Sequence, residues 1–254
     1  MKKFRLIGDY HTHTLYSRNG HGKGTIRENA ERALSLGLKE LYITDHGPGH
    51  LFFGLKRKMI PIVRKEIDDL NKEFEGRIKI FFGVEANVVD YDGKIDIKED
   101  EIKYFDIMNV GYHTGVRFLN IKSEILFRYI NPLSKYSSRL ENYIREKNTE
   151  ALIKIVENYP IRIITHPGEK VNLDIRKLAE ACEKQGTLLE INGHHNHISV
   201  ENLAIAAQTD CRFSVGSDAH FPDAVGSVEG AFRRIEESGI PLTKVENVEL
   251  LEGA

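Results

Sequence analysis

Asp9-Tyr10-His11-Thr12-His13-Thr14 directly follows the short apolar-rich run Phe4 to Ile7, and its reading decides how the rest of the chain is understood. Side chains two apart on a strand point the same way. His11 and His13 therefore project side by side from a strand end, where two neutral imidazoles can grip one metal ion. The chain carries 11 histidines, so the pair alone is also readable as two half-exposed polar residues. Whatever completes a metal site has to come from elsewhere.

Working outward, the same arrangement recurs. The polar loop Ser17 to Gly24 carries His21, and Thr25-Ile26-Arg27-Glu28 has the form of a capping box opening a helix that runs to about Leu36 and stops at Gly37. The β-favouring run Glu40 to Thr44 ends in Asp45-His46-Gly47-Pro48-Gly49. Helical periodicity over Pro61 to Phe74 is followed by the run Ile78 to Val84, which leads into Glu85. Phe105 to Gly111 leads to His113, and a helix over Thr149 to Asn158 precedes Ile161 to Thr165, which leads to His166-Pro167-Gly168. After a helix from about Leu173 to Gln185, Thr187 to Ile191 leads to Asn192, His194, His195 and His197. Arg212 to Val215 leads to Gly216-Ser217-Asp218-Ala219-His220, and a last helix is expected from about Ala224 to Glu237.

Strand-like runs alternating with helices imply parallel strands joined by helical crossovers. In a closed barrel the strand C-termini share one face, where active sites sit. Residues as far apart as His11 and His220 would then converge on one pocket. Two segments stand outside the pattern. Ile95 to Lys103 alternates charged and apolar residues and reads as a solvated surface strand or turn. Residues 115–147 form an insertion too long for a plain crossover, read as a surface helix pair, with a lid or an oligomer contact as alternatives.

Composition sets outer bounds. With 254 residues, 41% hydrophobic and 29% charged residues, the chain fits an ordinary soluble globular protein of one domain or two. Its net charge of -2 gives no global attraction to nucleic acid or anionic membrane. The basic start Met1-Lys2-Lys3 lacks the apolar region of a signal peptide, and no run could span a bilayer, so a cytoplasmic location is expected. Cys182 and Cys211 read as small buried hydrophobes, since their spacing matches neither a disulfide framework nor a zinc motif.

As an ordered set, His11-Thr12-His13, Asp45-His46-Gly47, Glu85, His113, His166-Pro167-Gly168 and Gly216-Ser217-Asp218-Ala219-His220 resemble the PHP (polymerase and histidinol phosphatase) family over nearly the whole chain. The wording Thr44-Asp45-His46-Gly47-Pro48, Val84-Glu85-Ala86-Asn87 and Thr165-His166-Pro167-Gly168 is most similar to the bacterial YcdX-type phosphatases, from whose shorter pattern the 115–147 insertion departs. The resemblance implies a single-domain α/β fold, a distorted (β/α)7 TIM-like barrel, holding three divalent metal ions. It implies that His11, His13, Glu85 and Asp218 hold the first ion, that Glu85 bridges to a second held by His113 and His166, and that His21, His46 and His220 hold the third.

Seven imidazoles with two carboxylates select Zn, Mn or Fe over the oxygen-preferring Mg and Ca. Three divalent ions against two carboxylates leave a positive site that suits a phosphate ester. The expected chemistry is hydrolysis of small phosphate monoesters by in-line attack of a metal-bound hydroxide held by Glu85 and Asp218, with no protein nucleophile. Arg57, Lys58, Arg117 and Lys170 lie in loops expected to reach the rim and bind phosphate oxygens, and His194, His195 or His197 could protonate the leaving alcohol. Asp9 and Asp45 are readable as partners orienting the histidines or as turn carboxylates. The expected partner is a small phosphorylated substrate, with no membrane, no nucleic acid and a homo-oligomer allowed. Rival readings are a PHP-type exonuclease or phosphodiesterase, an amidohydrolase on the same barrel, and a metal-binding regulatory protein without turnover.

Overall fold

The computed structural model describes residues 4–251. Seven strands follow one another around a barrel: Gly8–Thr12, Glu40–Ile43, Lys79–Asp90, Ile107–Gly111, Ile163–Ile164, Leu188–Asn192 and Arg212–Gly216. Each is parallel to the next. First and seventh strands meet at their C-terminal ends, where the Asp218 N–H donates to His11 O at 2.8 Å and the His13 N–H to Ala219 O at 2.7 Å. Below that seam the buried Asn247 amide donates to both Gly8 O and Val215 O at 2.7 Å, so one side chain from the chain's end ties the two strands. The parallel strands expected from the alternation and the single-domain seven-stranded barrel implied by the resemblance are the observed architecture.

Local chemistry explains the helices. Over Ile26–Ser35 the capping box forms as read: the Glu28 N–H donates to Thr25 Oγ1 at 3.1 Å and the Thr25 N–H to Glu28 Oε2 at 2.8 Å. Ile60–Glu73 buries Ile60, Val63, Ile67 and Leu70, a three-four spacing that turns one apolar stripe to the barrel. Each such side chain contributes about 1.5–3 kcal/mol on burial. Ile175–Gln185 stops at Gly186, which takes φ +71.

Four readings of the sequence shift. Phe4–Leu6 does not feed the first barrel strand; it pairs antiparallel with Val248–Leu250 outside the barrel. The last helix begins at Glu229 rather than near Ala224. The segment after the third strand is not a solvated surface: Lys94–Ile95 pairs with the end of that strand, and Ile95, Asp96 and Ile97 are buried. The helix expected over 149–158 runs instead over Ser138–Asn158, capped by Ser137.

Residues 115–147 are largely helical, with Ile121–Ile125, a π-turn over Leu126–Ile130 and Asn131–Leu133 preceding the long helix. Phe127 stacks on Tyr112 at 5.8 Å, and Asn131 Nδ2 donates to Lys170 O at 2.8 Å, which sets the insertion against the C-terminal rim. Cys182 and Cys211 are both buried free thiols.

Candidate metal centre

All nine residues implied as ligands meet at the C-terminal end of the barrel, around Glu85, which is fully buried on the third strand. His113 Nε2 lies 3.0 Å and His166 Nε2 2.8 Å from Glu85 Oε1. On the other oxygen, His46 Nδ1 lies 2.9 Å from Oε2. Asp218 Oδ1 stands 3.2 Å from His13 Nε2 and 3.6 Å from His11 Nε2. His21, reached by a long loop, has its Nε2 3.0 Å from that of His46 and 2.8 Å from that of His220.

These spacings are those of donor atoms around cations. Zn–N bonds of about 2.0–2.1 Å at tetrahedral angles put two donors roughly 3.3 Å apart. Glu85 Oε2, His46 Nδ1 and His113 Nε2 are buried with no hydrogen-bond partner among the described residues. Lone pairs left facing one another in a dry interior cost several kcal/mol unless something positive sits between them. Three donor groups are compact enough for one ion each: His11, His13 and Asp218; His46, Glu85 and His113; and His13, His46 and His220. They differ from the implied sets: the first lacks Glu85, the second takes His46 in place of His166, and the third takes His13, which stands between the two clusters, in place of His21. The residues present therefore fit bound divalent ions.

The protein fixes the donors from behind. His11 Nδ1 lies 2.7 Å from Glu190 Oε1, His113 Nδ1 2.8 Å from Asn87 Oδ1, His166 Nδ1 3.0 Å from Glu169 Oε2 and His13 Nδ1 3.2 Å from Ser17 Oγ. Each bond orients a ring and leaves Nε2 free to ligate. Asn87 is held in turn by the buried Asp96, which accepts its N–H at 2.8 Å and its Nδ2 at 2.6 Å. Of the three non-glycine residues with positive φ among those described, Asn19 at 58, His166 at 28 and Asp218 at 56, the last two belong to the donor set, in conformations side chains rarely adopt. Gly111 is needed for closeness, since a Cβ there would stand 2.5 Å from Thr165 Oγ1 and 3.0 Å from His166 Cε1.

Electrostatics favour the ligating forms of Glu85, Asp218, His13 and His21. At His11 and His166 burial pulls the ring down, but Glu190, Asp218 and Glu85 beside the first and Glu169 and Glu85 beside the second hold it well above an ordinary histidine, so a cation arriving there displaces a proton. Burial pushes the Glu85 carboxyl up, but His113, His11 and His46 outweigh it and hold it well below the usual range. Asp218 is likewise raised by burial and brought well below by His11 and His13. Burial, reinforced by His220, keeps His13 far below an ordinary histidine. The His21 ring is lowered to about 4, by burial first and then by His220. Ionised carboxylates and neutral imidazoles are the donors that cations require.

The PHP domain model matches residues 9–194. The chain belongs to the PHP family. Among its PHP-type relatives, a probable phosphatase of Caldanaerobacter subterraneus subsp. tengcongensis is 32% identical, with 96% of this chain and 88% of that one covered. A probable phosphatase of Thermoanaerobacter sp. is 31% identical, covering 97% and 92%. The fold is similar to the crystal structure of histidinol phosphate phosphatase from Lactococcus lactis, complexed with Zn, L-histidinol and phosphate, at a TM-score of 0.63 and 18% identity over 93% of this chain and 95% of that one.

In this PHP chain seven of the nine residues, all but His11 and His13, open into a cleft of about 240 Å³ that is also lined by His50, Phe53, Thr114, Glu169, Lys170 and His195. Of the four residues expected at the substrate rim, Lys170 alone lines the cleft. Arg57 does not: it is taken by Glu101 and by Asp96 O. Lys58 and Arg117 are exposed outside the cleft, and His194 is exposed while its neighbour His195 faces in, 3.4 Å from Asp218 Oδ2. Asp9 and Asp45 take their turn-carboxylate reading, Asp9 accepting the Ser217 and Gly226 N–H groups and Asp45 those of Thr14 and Ser17.

Sequence reasoning missed Glu190, Glu169, Asn87, Asp96 and His50. The available signal was a lone acid inside an apolar strand, Leu188-Leu189-Glu190-Ile191, where a charge needs a partner.

Proposed function

We propose that this PHP chain is a metal-dependent phosphatase acting on small phosphate monoesters, with three divalent ions of the Zn, Mn or Fe class held by His11, His13, His21, His46, Glu85, His113, His166, Asp218 and His220. The observation that carries this reading is the convergence of imidazole nitrogens on Glu85, both of whose carboxylate oxygens lie within 3.0 Å of one, with Glu85 Oε2, His46 Nδ1 and His113 Nε2 left without a hydrogen-bond partner among the described residues. Ions bound there would polarise phosphoryl oxygens and bring the pKa of a water to about 7.

The chain's own residues do the rest. Glu85 would hold two of the ions and, with Asp218, balance part of their charge, so that the floor of the cleft would suit a phosphate dianion. Lys170 stands at the lip, where its ammonium can swing from Glu169 to a phosphate oxygen. His195 lines the cleft beside Asp218 and offers a proton to the departing alcohol. A space of about 240 Å³ is below the usual 300–1,000 Å³ of ligand pockets and favours a small leaving group. Among the described residues no helix is long and apolar enough to cross a membrane.

Phosphate release from p-nitrophenyl phosphate and chain cleavage of a short oligonucleotide test the reading, before and after chelation and after return of Mn²⁺ or Zn²⁺. Monoester turnover that disappears on chelation and returns with metal is expected. Turnover indifferent to chelation, or confined to internal phosphodiesters, would overturn it.

A further inference from the structure

Among the described residues, one group of close metal-binding side chains lies outside the nine: Glu169, from the loop after the fifth strand, with His195 and His197, from the loop after the sixth. Their donor atoms all fall within 4.8 Å of one another. We propose that these three residues form a fourth divalent-cation site, at the lip of the cleft, that takes Zn²⁺-class ions. Two imidazoles and one carboxylate with a remaining position open to solvent are the donor set of an exchangeable zinc site, and they disfavour Mg²⁺ and Ca²⁺.

The site is built from two anchored loops. Asn192 Oδ1 accepts the His194 N–H at 2.9 Å and the His195 N–H at 2.8 Å, which fixes the start of the second loop. The Glu169 N–H donates to His166 O at 3.1 Å, which fixes the first. The loops touch at Gly168, φ +95, where a Cβ would stand 3.4 Å from His197 O. Glu169 is nearly buried, its side chain 7% exposed, and one of its oxygens is held by His166 Nδ1. The other faces Lys170 Nζ, a cation that an arriving metal would replace.

Three features make this site weaker than the inner ones. His197 is exposed, Glu169 is shared with His166, and the inner cations repel a fourth. An ion there sits against His195 on the cleft wall and narrows the entrance, so excess Zn²⁺ slows turnover. Only that kinetic effect rests on the proposed phosphatase activity; the binding does not.

Protein loaded with its tightly held ions is dialysed against rising free Zn²⁺, and metal is counted per chain for the wild type and for His197→Ala. The wild type is expected to gain one further equivalent, and His197→Ala to bind it at least about tenfold more weakly, with unchanged inner content and melting temperature. Co²⁺ added to the loaded protein should give visible bands of a histidine-bound ion in the wild type and lose them in the variant. Saturation of the wild type with no added equivalent, or a fourth equivalent equally tight in His197→Ala, overturns the proposal. Because the readout is the increment removed by His197→Ala, it stays interpretable whatever the inner count proves to be.

Discussion

Replacing Glu190 by Gln isolates the contribution of a residue that touches no ion in the proposed centre. Its carboxylate is buried, 1% exposed, and accepts three donors: His11 Nδ1 at 2.7 Å and, on the other oxygen, the His166 N–H at 2.6 Å and Asn192 Nδ2 at 3.0 Å. Gln keeps the shape but has one acceptor oxygen and one amide nitrogen, so at least one donor faces an N–H group. If His11 is the loser, its ring is no longer held with Nε2 free. Losing one buried hydrogen bond to a charged group costs about 1.5–3 kcal/mol. At 1.36 kcal/mol per tenfold, that is roughly a 10- to 150-fold loss in affinity for the ion at His11, in line with the 10- to 100-fold typical of residues behind a ligand. Competition of Glu190→Gln against a chromophoric chelator, with phosphate release in parallel, measures it. Unchanged affinity alongside a lower melting temperature of the metal-free protein would refute the reasoning and leave Glu190 as a brace for the fifth-strand loop.

Other outcomes follow from the same geometry. Glu85→Ala should lower both metal content and turnover, the latter beyond the roughly 100-fold ceiling of outer partners, as read by elemental analysis and phosphate release. Chelation should lower the melting temperature: an ion present at 1,000 times its Kd contributes about 4 kcal/mol, or on the order of 8–16 °C for a domain of this size, seen by calorimetry. His50 is held neutral, its pKa lowered to about 3 by burial and then by His46 and His113. Because the unfolded ring titrates near 6.5, His50 favours the fold above that pH and loses its contribution as pH falls from about 6.5 toward 3. Denaturant unfolding of chelated protein at pH 7 and pH 5 should therefore show the wild type losing up to about 2 kcal/mol more than His50→Gln.

What could be read from the sequence was whatever local pattern encodes. Short apolar runs ending in His, Glu or Asp give both the strands and the ligands, because parallel strands of a barrel all end on one face. His21 followed from the family pattern although its loop length is free, and the fold brings its ring to His46 and His220. Where loops aim was not legible. Arg57 satisfies Glu101 instead of the cleft, and His195 rather than His194 turns inward because Asn192 caps both backbone N–H groups. Asp96 hid in a charge-alternating stretch that looked solvated, since pairing of Lys94–Ile95 with the long third strand is a non-local event. Asn247 was equally invisible: its bond to Gly8 reaches across 239 positions and its bond to Val215 across 32.

The most direct test of the central claim is metal content per chain, by elemental analysis of protein purified without a metal-affinity tag and freed of loosely bound ions by gel filtration. The account predicts close to three ions of the Zn, Mn or Fe class, lost together with p-nitrophenyl phosphate turnover on chelation and recovered with it on metal return. One ion or none after supplementation would contradict the nine-residue centre, and a full complement without turnover on any phosphate monoester would contradict the phosphatase.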